Sequence, residues 1–269
     1  MITVNILTDN TKKFGLGNFI RSQSLFHELR KRKDLRVNFF VYSKLEKKQY
    51  SDILIIDLPK KNYSEKKILK YFSVNKKISL DHSQKWPVDI NISIFKKSKF
   101  AKRNLVSLKY AIIRKELQKI TKSKKNLFYI SIGSNDLKNK KHKIKKIFQN
   151  YFPVLKNSVN ISIKNLKKNT NKLHLKNMRE CELAASNGGT TLLELLFQKK
   201  IVFVYPQNHE ENNFAKFLKK IGHIIFINKF NISKKFIEGV RKKKQKKFII
   251  DNKGLGRISN VIENTLKFN

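Results

Sequence analysis

The stretch Cys181-Glu182-Leu183-Ala184-Ala185-Ser186-Asn187-Gly188-Gly189-Thr190-Thr191-Leu192-Leu193-Glu194-Leu195-Leu196 decides the fold. Its first five residues read as a buried strand, Gly188-Gly189 as a turn, and residues 190–198 as a helix opened by that turn. Working outward, further strands are expected at 127–132, 159–163, 201–205 and 224–227. Helices are expected between them at 140–151, 213–220 and 234–243. Alternating strands and helices with few hairpin signals predict a parallel sheet covered on both faces.

The first half repeats the pattern. Strands are expected at 3–7, 37–42, 53–57, 77–80 and 90–94, and helices at 18–31 and 64–72. Two such series imply an α/β chain of two Rossmann-like domains, 1–118 and 119–254, with a hinge around 117–125. The remaining segment, 255–269, carries Ile258, Val261, Ile262 and Leu266 on one face, so it reads as a helix that packs back on the first domain.

The chain has 269 residues, 40% of them hydrophobic with twenty Phe, enough for sizeable cores. It holds 61 Lys and Arg against 19 acids, a formal net charge of +42, but only nine of the bases are Arg. Bidentate readers of nucleic acid draw on Arg. No zinc-ligand spacing, Gly-Lys phosphate loop or RNA-recognition aromatic motif accompanies the lysines, so no specific nucleic-acid partner is expected. Any membrane contact would be peripheral, through Lys-rich faces on anionic lipid. The single cysteine, Cys181, excludes an intrachain disulfide and reads as a small core residue. With no secretory signal in view, a cytoplasmic location is expected.

Ligands in open α/β sheets bind beyond the carboxyl ends of strands. After the first strand comes Asp9 and then Gly15-Leu16-Gly17-Asn18, with Arg21 in the first turn of the next helix, placed to reach a phosphate. The glycine spacing fails the dinucleotide fingerprint, which argues against NAD. The turn from Ser186 through Gly188, Gly189, Thr190 and Thr191 is a diphosphate cradle of backbone amides, helix dipole and hydroxyls. Glu194, one turn in and away from Leu192 and Leu196, offers a carboxylate for both hydroxyls of a ribose. A third loop, Gly133-Ser134-Asn135-Asp136, offers further amides. Together these loops point to a diphosphate ligand between the domains.

The chain resembles the UDP-sugar hydrolase family of pseudaminic acid biosynthesis, itself similar to the peptidoglycan N-acetylglucosaminyltransferase. The resemblance runs through Gly15 to Asn18 with Arg21, Ile55-Ile56-Asp57, Ser79-Leu80-Asp81, Gly133 to Asp136 and Ala185 to Glu194. Its most specific block is Tyr110-Ala111-Ile112-Ile113-Arg114-Lys115-Glu116-Leu117. It implies the GT-B fold, two Rossmann-like domains facing a cleft, and cleavage of UDP from an amino-sugar with water as acceptor. It also implies ribose on Glu194, diphosphate on 186–191, the sugar facing Asp9, Asp57 and Asp81, and Arg21 near the phosphates. Tyr110 and Arg114 enter as substrate contacts through that block.

Two positions depart from the family. Asn18 stands where the family has a His, and an amide cannot carry a proton as an acid or base. Pro206-Gln207-Asn208-His209-Glu210-Glu211 places acids where amides are expected, with Glu211 as the nearest substrate contact. Asp9, Asp57, Asp81, His82 and His209 are then the candidate bases. No Asp-x-Asp ends a strand, so neither metal nor cofactor is expected. Three readings remain open: a UDP-amino-sugar hydrolase, a glycosyltransferase on the same fold, and a non-catalytic basic protein that binds nucleic acid.

Overall fold

The computed structural model describes residues 1–10, 17–59, 63–124, 127–132, 140–149, 168–223, 225–242 and 250–267. The strand expected at 159–163 and the loop from Gly133 to Asp136 lie outside them, as does Gly15. The chain divides into two compact units: Met1–Ile113 with Asp251–Asn269, and Arg114–Ile250.

The first unit is built on six parallel strands: β1 (Ile2–Thr8), β2 (Leu35–Val41), β3 (Gln49–Asp57), β4 (Phe72–Leu80), β5 (Val88–Ser93) and β6 (Ala101–Val106). Their order is β2-β1-β3-β4-β5-β6. Helices α1 (Gly17–Leu29) and α2 (Glu65–Tyr71) connect β1 to β2 and β3 to β4. The central strands are apolar on both faces, as a doubly covered parallel sheet requires. Val4, Ile6, Ile53 and Ile55 pack with Leu25 and Leu29 of α1 on one side. Leu7, Leu54 and Ile56 pack with Ile68, Phe72 and Trp86 on the other.

β6 has no counterpart in the sequence reading. It is an edge strand, and its Lys102 and Arg103 are exposed, which hides any apolar alternation while discouraging edge-to-edge pairing. β4, β5 and β6 follow one another without helices. Ile78 pairs with Ile90, and Ile90 with Arg103, so parallel partners lie only a dozen or so residues apart.

Among the described residues the second unit has four parallel strands in the order β10-β9-β8-β7: β7 (Phe128–Ser131), β8 (Leu183–Ser186), β9 (Ile201–Val204) and β10 (Ile225–Ile227). Its helices are α3 (Lys140–Gln149), α4 (Lys168–Glu180), α5 (Thr190–Phe197), α6 (His209–Lys220) and α7 (Lys234–Lys242). Phe128, Phe148, Leu183, Phe203 and Ile237 form one core, with Phe128 stacked on Phe148 at 3.8 Å between ring centres. Cys181 precedes β8 rather than lying in it, yet it is fully buried, and burial pushes its thiol up to about 12.

The last helix, α8 (Gly254–Lys267), belongs to the first unit, where Ile258 and Ile262 join the core beside Leu25 and Leu29. A Cβ on Gly254 would collide with the Ala111 carbonyl, so glycine is what lets α8 start there. Residues 117–124, read from sequence as part of a hinge, are fastened to the second unit. Gln198 donates from Nε2 to the carbonyls of Leu117 and Lys119, and Lys200 donates from Nζ to Ser123 Oγ. Among the described residues no helix is long and apolar enough to cross a membrane.

Candidate functional site

In the first unit β1 leads to β2 on one side and β3 lies on the other, so the order reverses between β1 and β3. Crevices at such switch points take ligands. The carboxyl ends of β1, β3, β4 and β5 and the start of α1 bring Asn18, Arg21, Asp57 and Asp81 together there.

Asp57, at the end of β3, is fully buried and accepts four hydrogen bonds. Oδ1 takes Asn18 Nδ2 at 2.6 Å and Arg21 Nη2 at 2.5 Å; Oδ2 takes Arg21 Nε at 2.7 Å and Ser22 Oγ at 2.8 Å. Arg21 reaches Asp81 Oδ2 through Nη1. Burial disfavours its charge, but Asp57 and Asp81 outweigh that and hold the guanidinium above its ordinary value. Asp81 Oδ1 accepts from Ser93 Oγ at 2.7 Å and from the Ile94 amide at 3.3 Å. Asp81 has a left-handed backbone, φ 51°, an uncommon conformation for a residue with a side chain.

Arg21, expected near phosphates, is therefore the cation between two carboxyl groups. Asn18 orients one of them. Gly17 is the first residue of α1. Asp9 is buried and accepts from Tyr63 Oη at 2.5 Å. His82 is buried, with Nε2 2.9 Å from the Trp86 carbonyl oxygen and Nδ1 3.0 Å from Ser79 Oγ. Burial lowers its pKa, and both ring nitrogens are engaged, so its role is structural. Tyr110 is half-buried and packs against the core that includes Ile258.

In the second unit β8 ends at Ser186, and α5 begins after Gly189, whose backbone is extended (φ −89°, ψ −161°) and which has no side chain to cap the helix. Thr190 and Thr191 are half-exposed in the first turn. Ser186 is fully buried, and its Oγ has no hydrogen-bond partner among the described residues. Gly188 has a packing reason for being glycine: a Cβ there would lie 2.5 Å from the Glu211 Cβ and 2.8 Å from its backbone.

Glu211 in turn ties this loop to α6, accepting from Asn187 Nδ2 and the Gln207 amide, both at 2.7 Å. Its own amide donates to Asn208 Oδ1 at 2.9 Å, so Asn208 is the N-cap and the acids of 210–211 face the positive end of a helix. The stretch holding Glu210 and Glu211 is thus a helix start. His209 is exposed, with Nε2 2.9 Å from Asn213 Nδ2.

Glu194 lies buried rather than on an open face. Arg114 holds it from two nitrogens, Nε to Oε1 at 2.5 Å and Nη2 to Oε2 at 2.7 Å. Behind this pair, Arg114 Nη2 is 3.7 Å from Met178 Sδ, and Tyr129 Oη contacts His174 Nδ1. Burial first, and Arg114 second, push His174 down to about 4, so the ring is neutral. Sequence reasoning missed this cluster because α4 is mostly polar, with only Leu173, Leu175 and Met178 as apolar residues to announce it. Among the described residues no group of His, Cys, Asp and Glu is arranged to hold a metal ion.

Two parallel-sheet α/β units define the GT-B class of fold, and comparison with solved structures agrees. The chain is similar to MurG of Acinetobacter baumannii, with a TM-score of 0.55 and 10% identity over 98% of this chain and 100% of that one. It is also similar to the glycotransferase of kitacinnamycin, with a TM-score of 0.51 and 10% identity over 97% and 98% of the two chains. At such identity the likeness establishes the fold. No family model and no curated protein matches the sequence.

Proposed function

We propose that the chain is a glycosyltransferase that takes its sugar from a nucleoside diphosphate carrier, a UDP-amino-sugar being the donor to test first. Both structural neighbours are GT-B glycosyltransferases, which favours transfer to an acceptor over the hydrolase reading. The observation that carries the proposal is Ser186. A buried hydroxyl without a partner stands at a strand end, beside a helix whose first amides no side chain caps. A helix N-terminus without a side-chain cap, next to a strand-end hydroxyl, suits a phosphate. Glu194 is the part of the nucleotide site that has to be read anew. As it stands its carboxylate belongs to Arg114, so ribose contact would share or displace that pair.

Hydrolysis of a UDP-amino-sugar is the same displacement with water as acceptor. One observation keeps it in view: Thr8 Oγ1, buried at the end of β1, has no hydrogen-bond partner among the described residues.

Calorimetry should show that the protein binds UDP. Ser186→Ala removes no hydrogen bond among the described residues, so its melting temperature should stay at or above wild type while UDP affinity falls about 10- to 100-fold, the worth of one bond to a charged group. Indifference of the wild type to UDP would overturn the proposal. UDP release that requires an added glycan or lipid acceptor identifies transfer; release in plain buffer identifies hydrolysis.

A further inference from the structure

Resting on that reading, we infer that Asp81 is the residue that takes the acceptor's proton, while Arg21, Asp57, Asn18 and Ser22 position it. Three aspartates stand at the strand ends of the first unit, and the structure separates their work. Asp57 is fully buried and has both oxygens filled by four donors. Asp9 is 3% exposed and bound by the Tyr63 hydroxyl. Asp81 is different: its side chain is 28% exposed, and its partners among the described residues leave lone pairs open.

Its backbone supports the assignment. Asp81, at the end of β4, has a left-handed backbone, which aspartate and asparagine adopt more readily than most residues. The conformation aims the carboxylate at Arg21 and at Ser93, which together fix its direction from two sides. Charge points the same way. One guanidinium is shared by two carboxyl groups, so the cluster can accept one proton without becoming net positive.

A second observation marks the place as unfinished. Thr8 pairs in register with Asp57, and it alternates along β1 with Val4 and Ile6, whose side chains face α1. Its hydroxyl therefore lies on the same side of the sheet as Asn18, Arg21 and Ser22, buried and without a partner among the described residues. The step balances simply. An acceptor hydroxyl oxygen bonds to the anomeric carbon, the bond from that carbon to the diphosphate oxygen breaks with its electron pair leaving on the nucleotide, and the hydroxyl proton passes to the Asp81 carboxylate.

The test compares three proteins in UDP release from a UDP-amino-sugar, with acceptor or water as the preceding section determines. Wild type must first bind UDP and turn over; if it does not, the proposed function fails and the assignment with it. Given turnover, Asp81→Asn, in a residue type that tolerates the left-handed backbone, should lower kcat 100-fold or more with UDP affinity unchanged. Asp81→Glu should recover part of the loss. The acid limb of the kcat/KM pH profile should disappear from the residual activity of Asp81→Asn. If Asp81→Asn keeps UDP binding and more than a third of wild-type kcat, the assignment is wrong while the proposed function stands. Loss of UDP binding in step with kcat would make Asp81 merely structural.

Discussion

At the strand ends of the first unit, side chains satisfy one another: Asn18, Arg21 and Ser22 fill Asp57, and Ser93 and Ile94 brace Asp81. The corresponding strand end in the second unit is held from behind instead. Glu211 ties the loop to α6, and Gly188 makes room for it, while no side chain caps α5 and the Ser186 hydroxyl has no partner among the described residues. One site is preorganised by charged side chains, the other by backbone placement. Substitutions should therefore hurt the first mainly through stability and chemistry, and the second mainly through ligand affinity.

The largest effect is expected at the buried end of the first cluster. Asp57→Asn leaves Arg21 short of a buried carboxylate and should cost about 3–5 kcal/mol, seen as a lower denaturant midpoint. A cost below about 1 kcal/mol would show that the cluster is not the anchor described. Next comes acid sensitivity in the second unit. The His174 ring titrates near 4 when folded and near its ordinary value when unfolded, so stability is highest above about 6.5 and falls as pH drops toward 4. The loss should reach roughly 2–3 kcal/mol. His174→Gln should flatten that slope, and an unchanged slope would assign it to other groups.

Gly188→Ala should cost about 1–3 kcal/mol, because the start of α6 must give way to the added methyl, and it should weaken UDP binding at the same time. The smallest stability effect has the most discriminating outcome. Gly189→Asp supplies the missing cap and should stabilise the fold by up to about 1 kcal/mol, while placing a negative charge where a phosphate is proposed. Higher melting temperature with undiminished UDP affinity would move the anion site elsewhere.

Legibility in the sequence followed the range of the interactions. Continuous apolar runs such as Ile53-Leu54-Ile55-Ile56 announced buried parallel strands, and the glycine turn at 188–189 announced α5, because both signals are local. β6 and α4 were missed because their polar, exposed residues break the apolar period. Asn208 with Glu210 and Glu211 is a helix start that was legible, but it was weighed against the family pattern instead. The pairs Arg21–Asp57, Arg21–Asp81 and Arg114–Glu194 lie 36, 60 and 80 residues apart. No spacing rule links such positions, so each residue was singled out without its partner. Gly188 shows the converse: its place in the candidate loop was legible, but not the backbone of Glu211 that requires it.

The way α8 returns to the first unit bears on how the protein is made. Val4, Ile6, Leu25 and Leu29 leave the ribosome early, yet Ile258 and Ile262, which complete their cover, are translated after the whole of residues 114–250. At about 5–20 residues per second that interval is roughly 10–30 s, during which a greasy surface waits in the cell for its lid.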